Sequence, residues 1–149
     1  MVCSLFGHRD CDNGIRNILE ETAEQLINEK GVDCFYVGNQ GGFDAIAMSV
    51  LIGLKEKYPH IRCYVVLAYL KTYNDDFSLK HSLDGIYPAE VLMAPRDLAI
   101  PARNKWMVRQ ADYVLCCITR EKGGAVSSVN YAKNLDKNII NIARFLPFH

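Results

Sequence analysis

Short apolar runs alternate along this chain with stretches whose apolar residues recur at helical spacing, and that rhythm leaves few folds open. Val2–Phe6 reads as a strand closed by Gly7. Ile15, Ile18, Leu19, Thr22, Ala23, Leu26 and Ile27 then mark the inward stripe of a helix. Asp12 or Asn13 is placed to cap its start and Gly31 to end it. A second strand is predicted over Asp33–Gly38, followed by a helix with Phe43, Ile46, Ala47, Val50, Leu51 and Leu54 on one face and a stop at Pro59. The run from Ile61 to Ala68 is apolar nearly throughout, as a strand covered on both faces should be. The stretch from Tyr69 to Asp84 breaks the rhythm and predicts a long loop or short insertion. A short strand at Gly85–Tyr87 follows, and Ala89–Ala99 fits neither period. Pro101 suits the first turn of a helix reaching Gln110. Beyond it the pattern predicts a strand over Asp112–Cys117, a helix over Gly124–Leu135 and a last strand over Asn138–Ala143.

Strands alternating with helices imply an α/β fold: a Rossmann-like, three-layer α/β/α domain with a mainly parallel sheet of five to six strands. The 149 residues suit one domain with one core, and no repeat, linker or second domain interrupts residues 1–149. Right-handed crossovers bring the strand-to-helix loops to the carboxyl edge of the sheet, where ligands bind in open α/β folds. Those loops are His8–Asn13, Asn39–Phe43, the segment after Tyr69, and Arg120–Gly124.

Composition narrows the partners. No apolar run approaches the ~18 residues that cross a bilayer, and Met1–Gly7 has neither the basic segment nor the apolar length of a signal peptide. Lys plus Arg and Asp plus Glu each number 17, so the basic excess of a duplex-DNA binder is missing and nucleic acid is an unfavoured partner. Cys3, Cys34, Cys63, Cys116 and Cys117 fall within apolar runs, as small core residues of a reducing, cytoplasmic compartment do. Cys11 sits instead in the polar loop His8-Arg9-Asp10-Cys11-Asp12, where a reactive role is open to it. No Cys or His spacing suggests a metal site, and no resident cofactor is expected.

Four segments can carry chemistry. Gly38-Asn39-Gln40-Gly41-Gly42-Phe43-Asp44 follows a strand and opens a helix. Its glycines permit close backbone approach, and a helix start offers amide donors to a phosphate; a glycine turn used only for packing is the competing explanation. Asp44 either favours the helix dipole or accepts hydrogen bonds from a ribose hydroxyl. Lys122-Gly123-Gly124-Ala125-Val126-Ser127-Ser128 is a second such junction, whose serines are ligand donors or N-caps. In Gly7-His8-Arg9, Arg9 suits a phosphate, and His8 a donor, an acid–base group or a structural role. Arg103 faces the loop edge or solvent, while Trp106 and Met107 on the same helix are expected in the core.

In order and spacing these segments resemble the SLOG superfamily, which includes the fold of DNA-processing protein A and the Lonely Guy phosphoribohydrolases. The likeness is strongest to small bacterial and phage members with a Gly-His-Arg start. It rests on Gly7-His8-Arg9, on Gly41-Gly42-Phe43-Asp44-Ala45-Ile46-Ala47, on Ala99-Ile100 with Arg103-Asn104-Lys105-Trp106-Met107-Val108, and on Ala111-Asp112-Tyr113-Val114 through Gly123-Gly124 to Val129-Asn130-Tyr131-Ala132. The resemblance implies binding of nucleotides or nucleotide-derived signals, including ADP-ribose-type molecules, and assembly into homo-oligomers. Against the Lonely Guy active site, Arg103 is kept, but the following Lys is Asn104, the last glycine of Gly-Gly-x-Gly is Val126, the Thr is Ser127 and the Glu is Asn130. A neutral Asn cannot stabilise or assist departure of a base as a carboxylate does.

The sequence therefore predicts a binder, a sensor or sequestering protein for an ADP-ribose or cyclic ADP-ribose type ligand. The alternatives are a nucleoside 5′-monophosphate N-glycosidase or deoxyribosyltransferase-like enzyme, with Asp44, Asp75 or Asp76 replacing the lost carboxylate, and a single-stranded DNA binder. The expected ligand contacts are Gly7, His8, Arg9, Gly38, Asn39, Gln40, Gly41, Gly42, Phe43, Asp44, Arg103, Gly123, Gly124, Ser127, Ser128 and Asn130. Asp44 and Arg103 are the catalytic candidates if the chain is an enzyme.

Overall fold

A computed structural model of the protein describes residues 1–69 and 83–146. Its six strands are β1 (Val2–Gly7), β2 (Cys34–Val37), β3 (Arg62–Val66), β4 (Asp84–Ile86), β5 (Tyr113–Cys117) and β6 (Asn138–Asn141). They form one sheet in the order β4-β3-β2-β1-β5-β6, and each neighbouring pair is parallel. The chain builds outward from β1 to β4, then returns to the other side of β1 to lay down β5 and β6. That reversal makes β1/β5 the switch point of the sheet, where two successive loops diverge and leave a crevice. Gly7 stands opposite Cys117 in the register, so the loops leaving β1 and β5 start side by side.

Helices cover both faces, as the alternating strand residues require. Cys3, Leu5, Leu115 and Cys117 pack with α1 (Arg16–Lys30) and α2 (Gly42–Lys57). Phe6, Val114 and Cys116 point the other way, into the core beneath α4 (Ala99–Gln110) and α5 (Gly124–Asn134). Ser4 shares that second face, and its buried hydroxyl donates to the Met107 carbonyl at 2.7 Å, joining the central strand to α4. Met107 is core as expected, whereas Trp106 is half-buried and leans on the Tyr36 ring, 5.1 Å between centroids. The five cysteines of the apolar runs are all buried.

Element ends differ from the sequence pattern where local hydrogen bonding decides. The unassigned stretch before Pro101 holds a single turn, α3 (Ala89–Leu92), and a 3-10 turn at Arg96–Leu98 that runs into α4 two residues ahead of the proline. The last strand stops at Asn141, where a 3-10 turn at Ile142–Phe145 folds Ile142 and Ala143 into the core. Asn141 makes the break useful: its Oδ1 accepts from the amides of Ala143 (3.1 Å) and Ile118 (3.0 Å), fixing the start of the loop after β5. Most of the predicted long loop, including Tyr73, Asp75 and Asp76, lies outside the described residues. No described helix is long and apolar enough to cross a membrane.

Two glycines set how closely the layers approach. A Cβ on Gly7 would fall 2.2 Å from Cγ of Phe43, and one on Gly42 would fall 2.6 Å from the Cys11 carbonyl oxygen and 2.7 Å from that of Arg9. Backbone oxygens cannot swing aside as a flexible side chain can. We expect Gly42→Ala to destabilise the protein by about 1–3 kcal/mol in urea unfolding. Gly124→Ala, where nothing stands within 4 Å of the added carbon, should be neutral or slightly stabilising.

Candidate functional site

A cavity of about 280 Å³ opens at the carboxyl ends of β1 and β5. Gly7, at the end of β1, forms part of its wall together with His8 and Arg9 of the following loop. Gly38, Gln40 and Asp44 line one side, Arg103 and Asn104 of α4 another, and Arg120 with Gly123, Gly124 and Ala125 a third.

The Gly38–Asp44 loop is built differently from the phosphate cradle its glycines suggest. The amide of Gly42 donates to the Arg9 carbonyl at 2.6 Å and that of Phe43 to the His8 carbonyl at 3.3 Å. The Gln40 amide donates to the Asp44 carboxylate at 2.8 Å. The first two amides of α2 are thus taken by the neighbouring loop, and the Gln40 amide just before it by the helix's own acid. Gly41 adopts φ +100, and a Cβ there would meet Cα of Arg9 at 2.7 Å, so the glycines serve contact between chain segments. Phe43 is fully buried under Gly7. Asn39, Gly41, Gly42 and Phe43 therefore stand outside the cavity wall, and packing is the explanation the geometry supports for them.

The second glycine junction does face the cavity. Gly123 caps α5 with φ +127 and without a side-chain bond, and Gly123, Gly124 and Ala125 line the wall. A helix start presents amides that lack intrahelical partners and the positive end of the peptide dipoles, which suits an anion. The two serines are not its caps. Ser127 and Ser128 donate back one turn to the carbonyls of Gly123 (3.3 Å) and Gly124 (3.0 Å). Both line a separate, smaller cavity of about 210 Å³ between α4 and α5. Asn130 is exposed and lines neither cavity, so the site as built lacks its amide.

The charged residues are unusually deep. Arg103, 3 % exposed, donates from Nη1 to the Val66 carbonyl at 3.1 Å and from Nε to Oδ1 of Asn104 at 2.9 Å; the solvated arginine the sequence also allowed is excluded. Asp44 is 8 % exposed. Gly38 separates them: a Cβ there would lie 2.8 Å from both Nη1 of Arg103 and Oδ2 of Asp44. Burial pushes the Asp44 carboxyl up to about 6, against the opposing pull of Arg103, the Gln40 amide and Arg9. His8 is buried too, and its Nε2 accepts from the Thr119 amide at 3.2 Å. That bond leaves the imidazole proton on Nδ1, while burial and then Arg120 lower the pKa and keep the ring neutral. Arg120 is held in a bidentate pair with Asp10, at 2.9 and 2.8 Å.

Sequence reasoning did not single out Arg120 or Asn104 as contacts, although both belong to segments already placed at this edge. Cys11 turns inward. Its thiol donates to the Asp12 carbonyl at 3.7 Å, and the neighbouring Cys117 thiol and burial raise its pKa, so it is not an activated nucleophile. Among the described residues no group of three or more His, Cys, Asp or Glu side chains is arranged to hold a metal ion. The cavity thus gathers Arg9, Arg103, Arg120 and a helix start around Asp44, the single acidic side chain among the described residues of its wall, an arrangement suited to an anionic ligand.

The sequence and fold have recognisable relatives. A family model for the YspA SLOG family matches residues 5–82. The UPF0398 protein BH1768 of Halalkalibacterium halodurans is 28% identical over 138 residues, which cover 83% of this chain and 69% of that protein. Among solved structures, DNA processing protein A from Streptococcus pneumoniae superposes with a TM-score of 0.67 at 17% identity, over 92% of this chain and 48% of that one. DNA processing protein A from Helicobacter pylori, whose structure concerns its single-stranded DNA binding mode, gives 0.68 at 18% identity, over 93% of this chain and 63% of that one. This chain therefore spans between about half and under two thirds of those larger chains, and the likeness is one of fold.

Asp44 gives the site a measurable pH signature. Its carboxyl holds a proton more tightly folded, at about 6, than at its ordinary 3.8. Stability should therefore fall as pH rises through that window, leaving a penalty on the order of 3 kcal/mol above it. Asp44→Asn keeps an acceptor for the Gln40 amide and removes the charge. We expect the variant to unfold at higher urea than the wild type at about pH 7.5, with the difference vanishing towards pH 4. A difference independent of pH would contradict the raised value.

Proposed function

This chain belongs to the YspA SLOG family, and on that footing we propose that its β1/β5 cavity binds a nucleotide-derived small molecule of the ADP-ribose or cyclic ADP-ribose type, as a sensor or sequestering protein. The observation that carries this reading is the convergence of Arg9, Arg103, Arg120 and the start of α5 on one cavity at the switch point of the sheet. A phosphate belongs against Gly123 and Gly124, with the Nδ1 proton of His8 and the Arg120 guanidinium as further donors. Arg120 stands on the cavity wall, half-exposed and paired with Asp10. Asp44, when ionised, suits a ribose hydroxyl as hydrogen-bond acceptor. Asn130 plays no part in this version of the site.

A second reading has one observation in its favour. Asp44 is the sole acidic side chain among the described residues lining the cavity, and a carboxyl near pH 6 is suited to proton transfer. That would support N-glycosidic cleavage of a nucleoside 5′-monophosphate, with Asp44 and Arg103 at the reacting sugar. Single-stranded DNA is the ligand of the Helicobacter pylori fold neighbour. Here the zero net charge and a cavity of about 280 Å³ favour a small molecule over a strand.

The readings separate in three measurements. Calorimetry with ADP-ribose should show binding that Arg9→Ala weakens about tenfold or more, with the melting temperature unchanged because Arg9 is exposed. Free base released from a panel of nucleoside 5′-monophosphates, and lost in Asp44→Asn, would replace the binder with the enzyme. Retardation of an oligonucleotide at physiological salt would replace it with the DNA reading.

A further inference from the structure

The β1/β5 cavity, at about 280 Å³, lies just below the usual range for organic ligands, about 300–1,000 Å³. A molecule with two sugars, a base and two phosphates, seated there by a phosphate, would extend beyond it. The smaller cavity between α4 and α5, about 210 Å³, adjoins it. The two share Ile100, Asn104 and Gly124 in their walls. No atom stands within 4 Å of where a Cβ on Gly124 would be, so a ligand can pass that corner without displacing side chains.

We infer that the α4/α5 groove is a second subsite, which takes the second sugar lying beyond the phosphate, so that the full ligand is a nucleotide extended through its phosphate. This rests on the anion-site reading of the first cavity. The wall chemistry fits such a moiety. Tyr131 offers an aromatic ring, with the Lys105 ammonium 5.9 Å from its centroid, and no acidic side chain among the described residues lines the groove. Because Oδ1 of Asn104 accepts from Arg103, its NH₂ group remains to donate at the junction of the two cavities. The hydroxyl protons of Ser127 and Ser128 are directed to carbonyls, leaving their oxygens as acceptors for a sugar hydroxyl.

Calorimetry with AMP and ADP-ribose, on the wild type, Tyr131→Ala and Ser127→Trp, tests the inference. Tyr131→Ala removes the ring, and Ser127→Trp fills the groove from an exposed position. The wild type should bind ADP-ribose about tenfold or more tightly than AMP. Each variant should bring ADP-ribose to the AMP level while leaving AMP within about twofold of its wild-type affinity. Wild-type binding of AMP with no gain for ADP-ribose overturns the subsite alone. So does equal weakening of both probes in a variant, or unchanged affinities in both variants. Should Ser127→Trp dissociate an oligomer in sedimentation without altering either affinity, the groove belongs to a second copy of the chain, and the subsite is refuted. Failure of both probes on the wild type overturns the anion site itself and the subsite with it.

Discussion

The contact between the first loop and the start of α2 governs the rest of this site. Gly42 and Phe43 give their amides to the carbonyls of Arg9 and His8, and the missing side chains of Gly7, Gly41 and Gly42 allow that approach. The contact has two effects at once. It takes the N-terminus of α2 out of ligand service, and it fixes the loop that carries His8, Arg9 and Asp10. An anion at this edge is left with the other glycine-led helix start, that of α5, across the switch point.

Around that frame the charges are arranged with little water to moderate them. Arg103 and Asp44 sit on opposite sides of Gly38, both nearly inaccessible. Their attraction does not offset the burial of the carboxylate, whose pKa settles near 6. With a pKa near 6 this carboxyl is mostly ionised at pH 7.5 and mostly neutral well below pH 6. It therefore opposes an incoming anion least in mildly acid solution. Among the described residues of the wall it is the single carboxyl, set against three arginines.

Much of this was legible in the sequence, and the failures have specific causes. The alternation of β-period and helical-period residues gave the three layers, and the connectivity gave the carboxyl edge and the loops that meet there. Gly7-His8-Arg9, Arg103 and Gly123-Gly124 were placed at that edge and stand on the cavity wall. The two glycine junctions, however, look alike in sequence. Which one faces a ligand depends on whether a neighbouring backbone carbonyl reaches its amides, and that is settled by a loop more than thirty residues away. Ser127 and Ser128 look in sequence like donors at a helix start, but a serine near a helix start can bond the carbonyl four residues before it, and both do. For Arg103 the sequence leaves solvent and site both open, because one helical face gives no depth; the carboxyl end of β3, where the Val66 carbonyl accepts from its Nη1, supplies it.

The hydroxyl of Ser4 has a consequence beyond the one bond it makes. It stands on the innermost strand, and its partner, the Met107 carbonyl, lies four residues past Arg103 on the same helix. At about 1.5 Å per residue, that places the guanidinium-bearing position about 6 Å along the axis from the point where α4 is fastened to the sheet. A slide of α4 by even one residue would break that tie and carry Arg103 away from Val66. Ser4 thus registers α4 against β1, and with it the depth at which Arg103 meets the Val66 carbonyl.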